Sequence, residues 1–315
     1  MKKFLSAALL LSLLLVTLVS CAGGEFTVTY VYGDGRDNTV QGVIPFTSPS
    51  RPNDPVRENY IFSGWYTDKE LTEPYSFRDT VTSPITLYAG WYPDYEKLSS
   101  AVSAFALDAC VTVKVIHLER VGLMLTPSAS SVGSGAILKE RAGYYYLLTN
   151  SHVVELEEGC VEREYTVSDA YGNEYEGELV LDSPERDLAC IRFARGEREL
   201  SALEIAENAA VEGDTVVAIG SPQGKPNVIT FGTVRGIREI DMQEGSAATN
   251  VDFPVIWHSA YVDHGSSGGA LLDIELKVVG ITFATSQGKD GKFAFGFTIP
   301  KDTVAEFLNE ALSAR

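Results

Sequence analysis

Two kinds of patterning divide this chain. From Phe26 to about Tyr92 apolar and polar residues alternate, as in Phe26-Thr27-Val28-Thr29-Tyr30-Val31-Tyr32, and Gly33-Asp34-Gly35 interrupts the run. Successive strand side chains point to opposite faces, so alternation predicts short half-buried strands joined by turns. No helical pattern of useful length occurs there. Pro93-Asp94-Tyr95-Glu96-Lys97 breaks the pattern, and Leu98 to Leu107 carries apolar residues at helical spacing. The expected organisation is a β-module over 26–93, a linker with a short helix over 94–104, and a second domain over 105–315.

Beyond the break the pattern is again one of many short strands. Val111 to Val115 alternates, Val132 to Leu138 enters through small residues, and Tyr144 to Leu148 is a continuous apolar run. Tyr171-Gly172-Asn173 sits between two alternating segments, where a hairpin turn is expected. Further strands are predicted at Thr215 to Ile219, Val228 to Val234, Val278 to Ala284 and Phe293 to Ile299. Such spacing favours a sandwich or barrel over a parallel α/β sheet. Val304, Phe307, Leu308 and Leu312 then recur at helical spacing and predict a closing helix, with Asp302 available as its cap.

The N-terminus departs from both patterns. Met1-Lys2-Lys3 followed by the apolar run Phe4 to Val19 is too short for a usual spanning helix and reads as an export leader over 1–20. Leu18-Val19-Ser20-Cys21 resembles a bacterial lipobox, in which Cys21 would be lipidated and become the new N-terminus, with residues 21–25 as a tether. An ordinary signal peptide with an incidental cysteine is the other reading. The remaining Cys110, Cys160 and Cys190 are an odd number for an exported chain and allow at most one disulfide. Cys190, inside Leu188-Ala189-Cys190-Ile191, reads as a buried strand thiol.

The 315 residues, 45% of them hydrophobic, suffice for about two domains. A net charge of −18, more negative still once Lys2 and Lys3 leave with the leader, argues against a nucleic-acid partner. It mildly favours cationic polypeptides.

Three positions carry candidate chemistry. In Asp263-His264-Gly265-Ser266-Ser267-Gly268-Gly269-Ala270-Leu271-Leu272, a glycine two residues before a serine lets the Gly265 and Ser267 amides converge on a developing oxyanion. Alone, the stretch reads equally as a flexible Gly/Ser loop. His152 ends the buried run Leu147-Leu148-Thr149-Asn150-Ser151-His152, where a rigid strand end could hold a general base. Asp187 stands where the polar turn 182–187 meets an apolar strand, and a carboxylate there could orient an imidazole. A structural histidine and an ordinary turn aspartate are the competing readings. The order His152, Asp187, Ser267 is that of chymotrypsin-like double barrels.

Residues from about 105 to 310 resemble the trypsin-like domain of the HtrA/Deg family of exported bacterial serine proteases. The resemblance rests on six blocks: Gly133-Ser134-Gly135, Leu148-Thr149-Asn150-Ser151-His152-Val153-Val154, Asp187-Leu188-Ala189, Ala218-Ile219-Gly220-Ser221-Pro222-Gln223-Gly224, Gly265-Ser266-Ser267-Gly268-Gly269 and Val279-Gly280-Ile281. Tyr60-Ile61-Phe62-Ser63-Gly64-Trp65-Tyr66, Thr86-Leu87-Tyr88 and Trp91 resemble one Listeria–Bacteroides repeat, a small β-grasp-like module. Trp65, Tyr66 and Trp91 would then be its core rather than a ligand-binding face.

The resemblance implies a mainly β fold: a chymotrypsin-like double β-barrel with a C-terminal helix, plus a small N-terminal β-grasp-like module. It assigns Ser267 as nucleophile, His152 as general acid/base, Asp187 as orienting carboxylate, and the Gly265 and Ser267 amides as oxyanion hole. It also implies polypeptide substrates, among them misfolded or exported proteins. The primary pocket would have Tyr261, six residues before the nucleophile, as its floor and Thr282, Phe283 and Ala284 along one wall. Without an acidic floor the pocket should favour Ala, Val or Leu.

Two departures stand out. Ser266 replaces the family's usual Asn or Asp and cannot pair with a freed N-terminus, so activation by cleavage is not expected. No PDZ domain follows the closing helix before Arg315. No cofactor is expected, and neither a calcium loop nor zinc-ligand spacing among His117, His258 and His264 is seen. The expectation is therefore an exported serine endopeptidase anchored to the bacterial membrane or cell surface through Cys21, of unspecified oligomeric state. The alternative is a catalytically silent protease-fold protein that binds or adheres at the surface.

Overall fold

The computed structural model describes residues 24–222, 225, 227–240 and 251–314. The leader, Cys21, most of the tether and Gln223-Gly224 lie outside the described residues. The chain divides into two compact units, Met1–Asp94 and Tyr95–Arg315.

The first unit is a four-stranded sheet built from β1 (Phe26–Val31), β2 (Thr39–Val43), β3 (Tyr60–Tyr66) and β4 (Ile85–Pro93), in the order β2-β1-β4-β3. The central pair β1/β4 is parallel and the outer pairings are antiparallel. Alternation sends Val28, Tyr30, Val43, Trp65 and Leu87 into one core. Trp65 lies edge-on to Tyr30 at 5.0 Å, Tyr32 at 5.4 Å and Phe62 at 5.6 Å, so it is the hub of the module's packing. Trp91 is half-buried, with Nε1 donating to the Tyr32 carbonyl at 2.7 Å.

The second unit opens with α1 (Tyr95–Ala101), which runs on through a π-helical turn at Val102–Ala106 and a 3-10 turn at Leu107–Ala109. Leu98, Val102 and Ala106 from this stretch are fully buried. Within 94–104 only Leu98 and Val102 are buried, so the segment is a mostly exposed helical stretch that packs through one apolar stripe.

Two closed six-stranded barrels follow. The first is formed by β5 (Cys110–Val121), β6 (Met124–Arg141), β7 (Tyr144–Thr149), β8 (Glu162–Ser168), β9 (Glu174–Ser183) and β10 (Leu188–Ala194), closed in the order β10-β7-β6-β5-β8-β9. The second is formed by β11 (Thr215–Gly220), β12 (Val228–Arg238), β13 (Val255–His258), β14 (Ala270–Leu272), β15 (Val278–Gln287) and β16 (Phe293–Pro300), closed in the order β11-β12-β13-β16-β15-β14. Closure removes sheet edges and explains the continuously buried runs in β7, β11 and β14, which face barrel core on one side and packed loops or helix on the other.

The hairpin expected at residues 171–173 joins β8 to β9. A single helical turn, α2 (Ser151–Val154), follows β7, and the closing helix is α3 (Lys301–Ser313). Helix α3 buries Val304, Phe307, Leu308 and Ala311. Asp302 is not its cap. Pro300 holds that position without a side-chain bond, and Asp302 sits in the first turn, where its carboxylate meets the positive end of the helix and accepts from Lys301 Nζ at 2.8 Å. Cys110, Cys160 and Cys190 are all unpaired, and burial pushes the Cys110 and Cys190 thiols up to about 12.

Candidate active site

Strand β7 ends at Thr149, and the chain turns into the single turn of α2 that carries His152. Across from it the β9–β10 turn carries Asp187, fully buried and in the left-handed region at φ +51°. Aspartate tolerates that conformation better than bulkier residues do, and it aims the carboxylate at α2. Asp187 Oδ1 accepts the His152 backbone N–H at 3.0 Å, and Oδ2 faces His152 Nδ1 at 2.8 Å. Asn150 Nδ2 donates to the Asp187 carbonyl at 2.8 Å, and Ser151 Oγ donates to Asp182 Oδ1 at 2.6 Å. The two residues before His152 therefore tie the start of α2 to the end of β9 and to the turn that follows it. A carboxylate accepting from Nδ1 leaves the lone pair on Nε2, the tautomer a general base requires.

Ser267 comes from the loop between β13 and β14. Ser266 N–H donates to the Asp263 carbonyl at 2.8 Å and closes a turn with Gly265 third, at φ +93°. That is the type II arrangement, which needs glycine at this position. Gly268 has φ +87°, and a Cβ there would strike the Ser134 carbonyl and Thr149 Oγ1. Among the described residues, the amides of Gly265 and Ser267 have no protein partner, whereas those of Ser266, Gly268 and Gly269 are bonded to Asp263, Thr282 and Ser266. Two donors beside the serine are thus left available. Ser266 itself is buried, and its Oγ accepts the Asp263 N–H at 3.2 Å.

Ser134, part of a small-residue run and of the Gly133-Ser134-Gly135 block, ties this loop to the first barrel. Its N–H donates to the Ser267 carbonyl and its Oγ to the Gly265 carbonyl, each at 2.7 Å. The same Oγ accepts the Ser221 N–H at 2.8 Å, and the Ser134 carbonyl accepts from Thr149 Oγ1 at 2.7 Å. Ser134 is buried, and no pattern in the sequence announces its bonds to a loop more than 130 residues away.

His152 and Ser267 line one cavity of about 160 Å³, together with Val262, Asp263, Thr282, Phe283 and Ala284. Ser267 Oγ lies 3.5 Å from the Phe283 carbonyl. Tyr261, expected as the pocket floor, does not line this cavity. Its hydroxyl donates to Asp263 Oδ2 at 3.0 Å and its ring packs on Phe293 at 5.1 Å, so the half-exposed side chain turns into a neighbouring recess. A buried polar row instead reaches the cavity wall. His258 Nε2 lies 3.1 Å from Thr298 Oγ1, which lies 3.3 Å from Thr282 Oγ1. Burial pushes His258 down to about 4, so its imidazole is neutral.

Residues 133–281 match the trypsin-like peptidase domain family. The matched stretch lies within the second unit. Residues 26–90 match the Listeria-Bacteroides repeat domain. Among curated proteins, the chain is 32% identical over 188 residues to the serine protease Do-like HtrA of Bacillus subtilis, covering 58% of this chain and 40% of that one. It is 30% identical over 181 residues to the periplasmic serine endoprotease DegP of Escherichia coli, covering 57% and 35%. The chain thus spans well under half the length of these relatives.

Among solved structures it is similar to the HtrA-type protease AlgW with a decapeptide, at 25% identity and a TM-score of 0.55 over 69% of this chain and 67% of that one. Against AlgW with a tripeptide the identity is 27% and the TM-score 0.53, over 67% and 62%. The double barrel with its closing helix is the chymotrypsin-like fold expected from the sequence.

Proposed function

We propose that this chain is an exported serine endopeptidase, held at a bacterial membrane by a lipid on Cys21, that cleaves polypeptides through an acyl-enzyme. The observation that carries the reading is the fully buried Asp187 carboxylate against His152 Nδ1, with His152 and Ser267 on one cavity. In the forward step His152 Nε2 takes the Ser267 proton as Oγ attacks the scissile carbonyl. Asp187 stabilises the imidazolium, and the Gly265 and Ser267 amides receive the oxyanion. His152 then gives its proton to the leaving amine, and water repeats the sequence on the acyl ester. The names of the relatives, serine protease and serine endoprotease, support the class of reaction, and the periplasmic label of one supports export.

Labelling by a fluorophosphonate probe together with casein hydrolysis tests the reading. Ser267→Ala should lose both, by about three to six orders of magnitude in turnover, with an unchanged melting temperature. A wild-type chain that takes no label, or an alanine variant as active as wild type, would favour the silent surface-binding alternative.

The cavity walls Val262, Thr282, Phe283 and Ala284 bring no charge, which supports small or medium aliphatic residues on the acyl side of the cut. A mixed peptide library reads this out. Dominant cleavage after Lys or Arg would reject it and point to Asp263, which lines the same cavity.

A further inference from the structure

The turn Ile44-Pro45-Phe46-Thr47 in the first unit keeps an exposed aromatic ring in a conformation that works against it. Thr47 N–H donates to the Ile44 carbonyl at 3.1 Å, closing the turn, and Phe46 occupies its third position at φ +64°. Pro45 suits the second position of a type II turn, but the third normally falls to glycine, and a bulky side chain there is strained. The fold enforces the strain. Phe46 N–H donates to the Val81 carbonyl and Val81 N–H to the Thr47 carbonyl, both at 2.9 Å.

Leu276 shares the conformation, at φ +63°, but packs against the barrel core in return. Phe46 gains nothing comparable, since it is 72% exposed. Ile44 beside it is 64% exposed and Val40 61%. In β2, Thr39 and Gln41 bond Tyr32 and Tyr30, and Val43 is buried, so Val40 and Ile44 fall on the opposite face, where the Glu25 side chain lies over Gly42 and separates Val40 from the turn. Strain and exposure held together point to a role for the ring outside the fold.

We infer that this turn is a membrane contact, bedding Phe46 and Ile44 into a lipid bilayer surface beside the anchor on Cys21. The inference rests on the lipid-anchored reading above. Phe26, the first residue of β1, pairs with Val43, so the chain enters the module at the end of the sheet where the turn stands. Cys21 lies five residues earlier, a reach of at most about 18 Å. A lipid there would hold this end of the module at the bilayer. The size of the patch selects the same occupant. Two side chains bury a few hundred Å² at most, well below the roughly 1,000 Å² of a stable protein interface. Beside a covalent lipid, however, a few apolar side chains add usefully to membrane affinity.

The test uses the mature chain made from Ala22 without a leader, so that no lipid is present, and mixed phosphatidylethanolamine and phosphatidylglycerol vesicles. Wild type should co-sediment with the vesicles, more completely at high salt, which screens the repulsion between the acidic chain and the anionic lipid. Phe46→Ser and Ile44→Ser should each weaken partition about tenfold. Phe46→Gly should weaken it too while raising the melting temperature, since glycine accepts the backbone without strain. No vesicle binding by wild type would overturn the inference, as would serine and glycine variants that bind like wild type. Loss of self-association in sedimentation velocity, with vesicle binding unchanged, would overturn it in favour of a second copy of the chain. Because this chain cannot be lipidated, a failure here strikes the turn alone, and the anchor is tested separately at Cys21.

Discussion

Ser134 Oγ donates to the Gly265 carbonyl at 2.7 Å and so fixes, from a strand of the first barrel, the Asp263–Ser266 turn that precedes Ser267 in the second. The same oxygen satisfies the buried Ser221 N–H. Ser134→Ala should therefore do two things. It leaves Ser221 N–H without a partner, which should cost about 1–3 kcal/mol in a denaturant titration. It also releases the Gly265 peptide, and turnover should fall about tenfold, equivalent to about 1.4 kcal/mol of transition-state stabilisation. Equal stability and equal burst-phase acylation in variant and wild type would show that the bond organises nothing.

The residues of the candidate triad were legible because each stands at a boundary between an apolar run and a polar turn. That is where rigid elements present side chains, and the order of the three along the chain narrowed the fold. Strand positions were legible for the same reason wherever apolar residues alternated. The limits were set by contacts at long sequence range. Strand β13, only Val255–His258 and buried throughout, has no alternation to announce it. Strands β5 and β6 run on well past Val111 to Val115 and Val132 to Leu138, because they pair with each other through exposed and small residues that carry no strand signal. The direction of Tyr261 was not legible because it depends on Asp263 and on Phe293, 32 residues further on, rather than on its distance from Ser267.

The membrane anchor is tested at Cys21. Expressed with its leader in a bacterial host, the wild-type chain should be recovered with membranes, and Cys21→Ala should appear in the soluble exported fraction or stall with its leader uncut. The expectation follows from the Leu18-Val19-Ser20-Cys21 run and from the apolar leader before it. Mass spectrometry of the wild-type N-terminus gives a direct reading. An unmodified cysteine, or equal recovery of both chains in the soluble fraction, removes the anchor.

His258 should make the domain acid-sensitive. Burial holds the folded imidazole neutral down to about pH 4, against an ordinary value of 6.5. Between those two values the unfolded chain binds a proton that the folded chain refuses, so acidification favours unfolding. The stabilisation from this site is complete above about pH 6.5 and drains away as pH falls towards 4, to a total of about 3 kcal/mol. Other groups titrate over the same range, so the comparison has to be made against a variant that differs only here. His258→Gln retains an amide able to bond Thr298 Oγ1 but cannot take up a proton. Wild type should lose stability more steeply than this variant across that window, by about 1.4 kcal/mol per pH unit. Since the row from His258 through Thr298 ends at Thr282 on the cavity wall, hydrolysis by wild type should also fall off at a higher pH than hydrolysis by the variant. Parallel stability curves for the two proteins between pH 6.5 and 4 would show that the buried imidazole is not the group that responds.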